Sequence, residues 1–135
     1  RFVGLMEQLL LRGRVPLEGH PLLQITKKTL PQLISELKHD NHESQSLLAI
    51  EAGTRTTMKS LLNMFPKDST VPVIVGVGAF PHGDFIEESK KVFDTQIELD
   101  REVLMAWHVC AEILWMYSAR VEVIQNRYGT GEENQ

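Results

Sequence analysis

A β-branched run, Val71-Pro72-Val73-Ile74-Val75-Gly76-Val77, opens directly into Gly78-Ala79-Phe80-Pro81-His82-Gly83-Asp84-Phe85. A buried strand that ends in glycines lets a ligand lie against bare backbone N–H and C=O groups at its carboxyl end. A dinucleotide-binding loop is excluded, because the third glycine of that fingerprint would fall at Pro81, where no backbone N–H is left to meet a pyrophosphate. No Gly-Lys-Ser/Thr ending follows, so a phosphate-cradling loop is excluded as well. Composition alone leaves a plain turn equally open.

The other reactive side chains point to less. His39 and His42, with Asp40 and Glu43 nearby, lack a cysteine or third histidine at ligand spacing, and no metal is expected. No Gly-X-Ser-X-Gly elbow supports a serine hydrolase. Asp84 and Glu87 stand ahead of a short helical stretch, where acids usually satisfy free N–H groups rather than shuttle protons. His82 and His108 are read as structural. Cys110 cannot form an internal disulfide, being the one cysteine, and among Trp107, Ile113 and Leu114 it is expected as a small buried thiol.

The elements that would position these residues alternate. Apolar residues at 2, 5, 6, 9 and 10 have the spacing of one helix face, with no capping residue ahead of them, so the chain is expected to begin inside an element and to be a fragment. Gly13 and Pro16 end that helix, and Leu22-Leu23-Gln24-Ile25 reads as a short strand. A polar stretch over residues 38–46 leads to a strand at Leu47 to Ala52, followed by a loop at Gly53-Thr54. A helix over residues 58–64 precedes the β-branched strand, and after the glycine loop come a helical turn over 87–91, a strand over 92–99 and a long helix over 102–126. That last helix would carry Val103, Ala106, Trp107, Cys110, Ile113, Leu114, Tyr117, Val121 and Ile124 on one face, widened by Leu104, Ala111 and Trp115. So wide an apolar arc implies burial on two sides or sharing with a second copy of the chain. The pattern predicts an α/β fold in one domain over residues 1–128, with a disordered polar tail at 129–135.

Charge is unevenly spread. The first 28 residues hold five basic side chains against two acidic ones, a net of +3 within a chain whose total is −4, which leaves −7 for the remainder. The basic front is a candidate phosphate-binding edge, with a plain solvated face as the alternative. No apolar run is long enough for a membrane span and no export signal is legible, so no membrane association and a cytoplasmic location are expected.

Two segments, Arg1-Phe2-Val3-Gly4-Leu5-Met6-Glu7-Gln8-Leu9-Leu10 and Gly78-Ala79-Phe80-Pro81-His82-Gly83-Asp84-Phe85, together resemble the essential-for-mitotic-growth family of knotted, SPOUT-class pseudouridine methyltransferases, in wording closest to its archaeal branch. Leu22 to Ile25 and Gly53-Thr54 fall where that family has a strand and its first cofactor loop. The resemblance implies a SPOUT-type α/β knot with a long closing helix. It implies transfer of a methyl group from S-adenosyl-L-methionine to N1 of a pseudouridine in small-subunit rRNA, by a homodimer, during ribosome biogenesis.

Carried over by position, the cofactor would be held by Thr54 of a first loop, by Gly78, Gly83, Asp84 and Phe85 of a second, and by Leu99, Asp100, Arg101, Glu102, Val103 and Leu104 of a third. The third loop departs from the family pattern, which has a Tyr or Asn and a Pro before its final Leu, and is expected to be less rigid. Arg1 occupies the position of an arginine that contacts RNA, with Arg12 and Arg14 as weaker candidates. The family's other RNA-contacting arginines and the acidic residue near the target base lie upstream of Arg1, so no catalytic base is assigned. A non-catalytic ribosome-assembly factor and a knotted methyltransferase of tRNA remain the alternatives.

Overall fold

The computed structural model describes residues 1–39, 41–80, 83–123 and 127. In chain order the elements are α1 (Phe2–Arg12), β1 (Arg14–Val15), β2 (Leu23–Gln24), α2 (Leu30–Lys38), β3 (Gln45–Arg55), α3 (Met58–Met64), β4 (Val73–Val77), α4 (Glu87–Lys90), β5 (Thr95–Glu98) and α5 (Ala106–Arg120). Sequence calls on Asp40, Pro81, His82, Ile124 and residues 129–135 lie outside the described residues.

Three parallel strands in the order β4-β3-β5 form the main sheet, and β1 and β2 make a separate antiparallel hairpin. On β3 the neighbours Leu47 and Leu48 point to opposite faces, yet both are almost fully buried. The sheet is therefore covered on both sides, as parallel sheets generally are. One face packs Leu47 and Ile97 against Leu61 and Phe65 of the α3 segment and Ile113 and Met116 of α5. Phe65 meets Tyr117 edge to face at 5.8 Å, and the Arg120 guanidinium donates through Nε to the Phe65 carbonyl at 2.9 Å, satisfying a group that the end of α3 leaves free. On the other face Phe93 and Leu48 close over Gly76 so tightly that a Cβ there would lie 2.7 Å from each.

The carboxylate of Asp94 fastens the start of β3 to the approach of β5. Its Oδ2 accepts from the backbone N–H of Ser46 at 2.7 Å and from the Ser46 hydroxyl at 2.9 Å, and it pairs with Lys38 at the end of α2. Burial pushes the Asp94 carboxyl up, but the Lys38 ammonium and the two Ser46 donors outweigh it and hold the group below its ordinary value.

The structure differs from the sequence reading at several elements. Helix α2 had no counterpart in it, although Thr29, Pro31 and Gln32 form a capping box with proline in the first turn. Strand β4 begins at Val73 rather than Val71, after a proline that cannot donate to the ladder. Strand β5 is shorter than residues 92–99, because Lys91 to Asp94 are spent on the turn out of α4.

Helix α5 is likewise shorter than 102–126. It starts at Ala106, because Asp100 Oδ1 accepts from the Glu102 N–H at 3.0 Å and turns the preceding chain away from helical geometry. It ends where Glu122 takes φ 61, in the left-handed region. Its inward stripe is Val109, Ile113, Met116 and Tyr117. Trp107, Leu114 and Trp115 are about 60% exposed (63%, 64% and 60%). Cys110 is exposed too, which corrects the expectation of a buried thiol: the stripe that packs on the sheet runs beside it and not through it.

Candidate functional site

Strand order reverses across β3, since the chain passes from β3 to one neighbour and then to the other. In open α/β sheets the crevice beyond the carboxyl ends of strands at such a point is where ligands bind. A cavity of about 650 Å³ lies there, within the range of small-molecule sites. Three segments wall it.

The first wall is a departure within β3. Ala49 and Thr54 both register against Ile97, so the four residues between them leave the ladder and return to it. Ala49, Ile50 and Glu51 thereby reach the cavity. Gly53 makes the return possible, because a Cβ there would stand 2.5 Å from the Ile97 carbonyl carbon and 2.9 Å from the Glu98 nitrogen. Thr54 is back in the ladder, its carbonyl accepting from the Thr56 hydroxyl at 2.8 Å. The chain at Gly53-Thr54 is therefore strand rather than the expected loop, and Thr54 is outside the cavity lining.

The second wall is the glycine segment after β4. Gly78, Gly83, Asp84 and Phe85 all line the cavity, joined by Phe80. Phe80 and Phe85 meet edge to face at 5.0 Å. Gly78 lies under this pair, and a Cβ there would press on both rings at 3.3 Å. Gly83 has φ 89, which side chains rarely adopt. Asp84 Oδ1 accepts from the Phe85 N–H at 2.7 Å, and Oδ2 pairs with Lys90 of α4 at 2.8 Å. The Lys90 ammonium and the Phe85 N–H hold the Asp84 carboxyl below its ordinary value. The same ammonium reaches Glu87 at 3.0 Å, so α4 anchors the wall from outside.

The third wall runs from the end of β5 into α5. Leu99, Asp100, Val103 and Leu104 line the cavity, whereas Arg101 and Glu102 do not. The Glu102 N–H keeps the Asp100 carboxyl below its ordinary value. Met105, Ala106, Trp107 and Val109 complete this side. Sequence reasoning missed them because it placed the helix start too early. It missed residues 49–51 because the departure in β3 depends on a contact 44 residues away, although a glycine inside a strand pattern does mark such bulges.

Arg1, the proposed RNA contact, is exposed at the start of α1 and is not part of this cavity. Arg14 donates through Nε to the Pro16 carbonyl at 3.3 Å and through a terminal nitrogen to the Gly19 carbonyl, which ties the β1–β2 turn. Among the described residues no three His, Cys, Asp or Glu side chains converge as metal ligands, and no helix is long and apolar enough to cross a membrane.

The model of one family, EMG1/NEP1 methyltransferase, matches residues 1–118. The chain belongs to that family. It is the family to which the two quoted segments pointed. The chain is 39% identical to a ribosomal RNA small subunit methyltransferase Nep1 of Thermococcus kodakarensis over 119 residues, covering 88% of this chain and 50% of that protein. It is also 39% identical to the protein of the same name from Pyrococcus furiosus, over 90% of this chain and 50% of the other. Among solved structures, Archaeoglobus fulgidus Nep1 bound to S-adenosylhomocysteine superposes with a TM-score of 0.66 at 27% identity, over 90% of this chain and 50% of that one. The chain thus spans about half the length of the curated relatives it matches. The α/β class expected from the sequence holds.

Proposed function

We propose that the protein is an S-adenosyl-L-methionine-dependent methyltransferase that modifies N1 of a pseudouridine in small-subunit rRNA. The observation that carries this reading is the three-walled cavity at the carboxyl edge of a parallel sheet, in a chain of the EMG1/NEP1 family. Relatives named small-subunit rRNA methyltransferases and a neighbour bound to S-adenosylhomocysteine support it.

The residues present fit such a donor. At Gly78 the backbone is bare where a Cβ would press on two phenyl rings, which leaves amide and carbonyl groups for an adenine edge. Leu99, Val103 and Leu104 offer apolar surface to the adenine ring, while Asp84 and Asp100, both ionised at neutral pH, are acceptors for hydroxyl or ammonium groups. Thr54, Arg101 and Glu102 would contribute by fixing the first and third walls, Glu102 through its N–H to Asp100.

When bound, the donor would supply an electrophilic methyl group on a sulfonium, with the electron pair of the broken bond left on sulfur and the proton of N1 released to solvent water. The contribution of the chain is positioning, since holding methyl and acceptor in line removes much of the entropic barrier. Arg1 and the basic first 28 residues would face the rRNA phosphates. The exposed Trp107, Leu114 and Trp115 on α5 suit an apolar interface between two copies in a homodimer. We also read the loops around the cavity as threaded in the α/β knot of the family, and place the protein in the cytoplasm.

The test is transfer of an isotopically labelled methyl group to a small-subunit rRNA fragment by the full-length protein, followed by nucleoside mass spectrometry. Label in N1-methylpseudouridine is expected. No transfer, or label only in tRNA, overturns the reading.

A further inference from the structure

Among the described residues, every charged side chain that lines the cavity is a carboxylate. Glu51 comes from the first wall, Asp84 from the second and Asp100 from the third. The cations nearby stand outside the lining, although Arg55 and Arg101 are close enough to act on Asp100. Lys90 lies behind the wall between Asp84 and Glu87, and Arg55 pairs with Glu98 at 3.1 Å. Glu51 is exposed and has no ion pair among the described residues. The site itself does not rest on these acids, since the cavity and the family carry it; the acids bear on what it prefers to hold.

S-adenosylmethionine carries one more positive charge than S-adenosylhomocysteine, because the sulfonium becomes a neutral thioether when the methyl group leaves. A cavity lined on three sides by negative charge interacts with the two ligands unequally. We propose that Glu51 and Asp100, with Asp84, make this pocket select the cationic donor over its neutral product, so that loss of the methyl group weakens the hold and promotes product release. This rests on the methyltransferase reading above and extends it to the exchange of donor for product. The same lining disfavours phosphate-bearing ligands such as nucleotides.

A carboxylate about 7 Å from a sulfonium in a water-like medium changes its affinity roughly threefold. Lys90 offsets Asp84, and Arg55 and Arg101 partly offset Asp100, which leaves Glu51 and part of Asp100 acting, for a donor preference of roughly three- to tenfold at low salt. Mobile ions would shrink this nearly to parity around 1 M salt, where the screening length is roughly 3 Å.

The experiment is calorimetric titration of the full-length protein with each compound in turn, at low and high salt, for the wild type and for Glu51→Gln and Asp100→Asn. The expected result is tighter binding of S-adenosylmethionine, by a ratio that falls with salt and falls up to about threefold in each variant, with the affinity for S-adenosylhomocysteine unchanged in Glu51→Gln. The salt series on the wild type keeps the inference testable should either variant fail to fold. Binding of both compounds with a ratio of one or less at low salt, or with a ratio indifferent to salt and to both substitutions, overturns this inference and leaves the methyltransferase reading standing. Binding of neither overturns both.

Discussion

Substituting Gly53 by alanine adds a single methyl group at the point where β3 returns to its ladder. That methyl would stand 2.5 Å from the Ile97 carbonyl carbon, 2.8 Å from its oxygen and 2.9 Å from the Glu98 nitrogen. Ordinary contact needs about 1 Å more, and every atom it meets is backbone, so no side chain can swing aside. Either β5 shifts or the first wall opens. Ile97 is fully buried in the core and also lines the cavity, so both responses disturb packing and site together. Overpacking of this kind costs about 1–3 kcal/mol. For a chain of this size that corresponds to a fall in Tm of roughly 3–12 °C. Thermal unfolding followed by circular dichroism, paired with calorimetric titration of S-adenosylmethionine, reads both consequences. A Gly53→Ala protein whose Tm lies within about 1 °C of wild type and whose donor affinity is unchanged would refute the close approach.

Three further outcomes follow from the same geometry. Asp94→Ala removes the acceptor of two Ser46 donors and should cost about 1–3 kcal/mol in denaturant unfolding at pH 7. Because the folded carboxyl titrates below its ordinary value of 3.8, its stabilisation is present above that pH and is lost as the pH falls through the lowered value. The variant should therefore lose less stability than wild type on acidification, and parallel pH profiles would contradict this. Gly83→Ala forces a side chain to φ 89 and should weaken S-adenosylmethionine binding at least threefold through strain of about 1 kcal/mol in the second wall; an unchanged Kd would count against that wall. Leu114→Glu on the exposed face of α5 should convert the proposed dimer to a monomer in analytical ultracentrifugation, and a dimer that persists would place the interface elsewhere.

What the sequence made legible was whatever depends on local pattern. The run from Val73 to Val77 is β-branched and apolar, as a strand covered on both faces requires, and Met58 to Met64 is bounded by Thr57 ahead and Pro66 behind. Thr29 and Gln32 carry an equally local signal, a capping box at the start of α2. Long-range contacts were not legible. Nothing near Gly53 announces that it will back onto Ile97, so the first cavity wall was assigned to Thr54 and not to residues 49–51. The apolar arc of α5 is so wide that periodicity could not choose its inward stripe, and Cys110 was placed on the wrong side of it. Of the proposed cofactor residues, the structure gathers Gly78, Gly83, Asp84, Phe85, Leu99, Asp100, Val103 and Leu104 around one cavity. Thr54, Arg101 and Glu102 are outside its lining.

Titration of the full-length protein with S-adenosylmethionine, wild type against Gly78→Val, tests the central claim most directly. A valine side chain would press further on Phe80 and Phe85, which a Cβ already approaches to 3.3 Å, and would take the bare backbone away from the ligand. Saturable binding by the wild type, weakened at least tenfold in a variant that still folds, is the result the cavity predicts. No binding by the wild type, or equal binding by both, would contradict it.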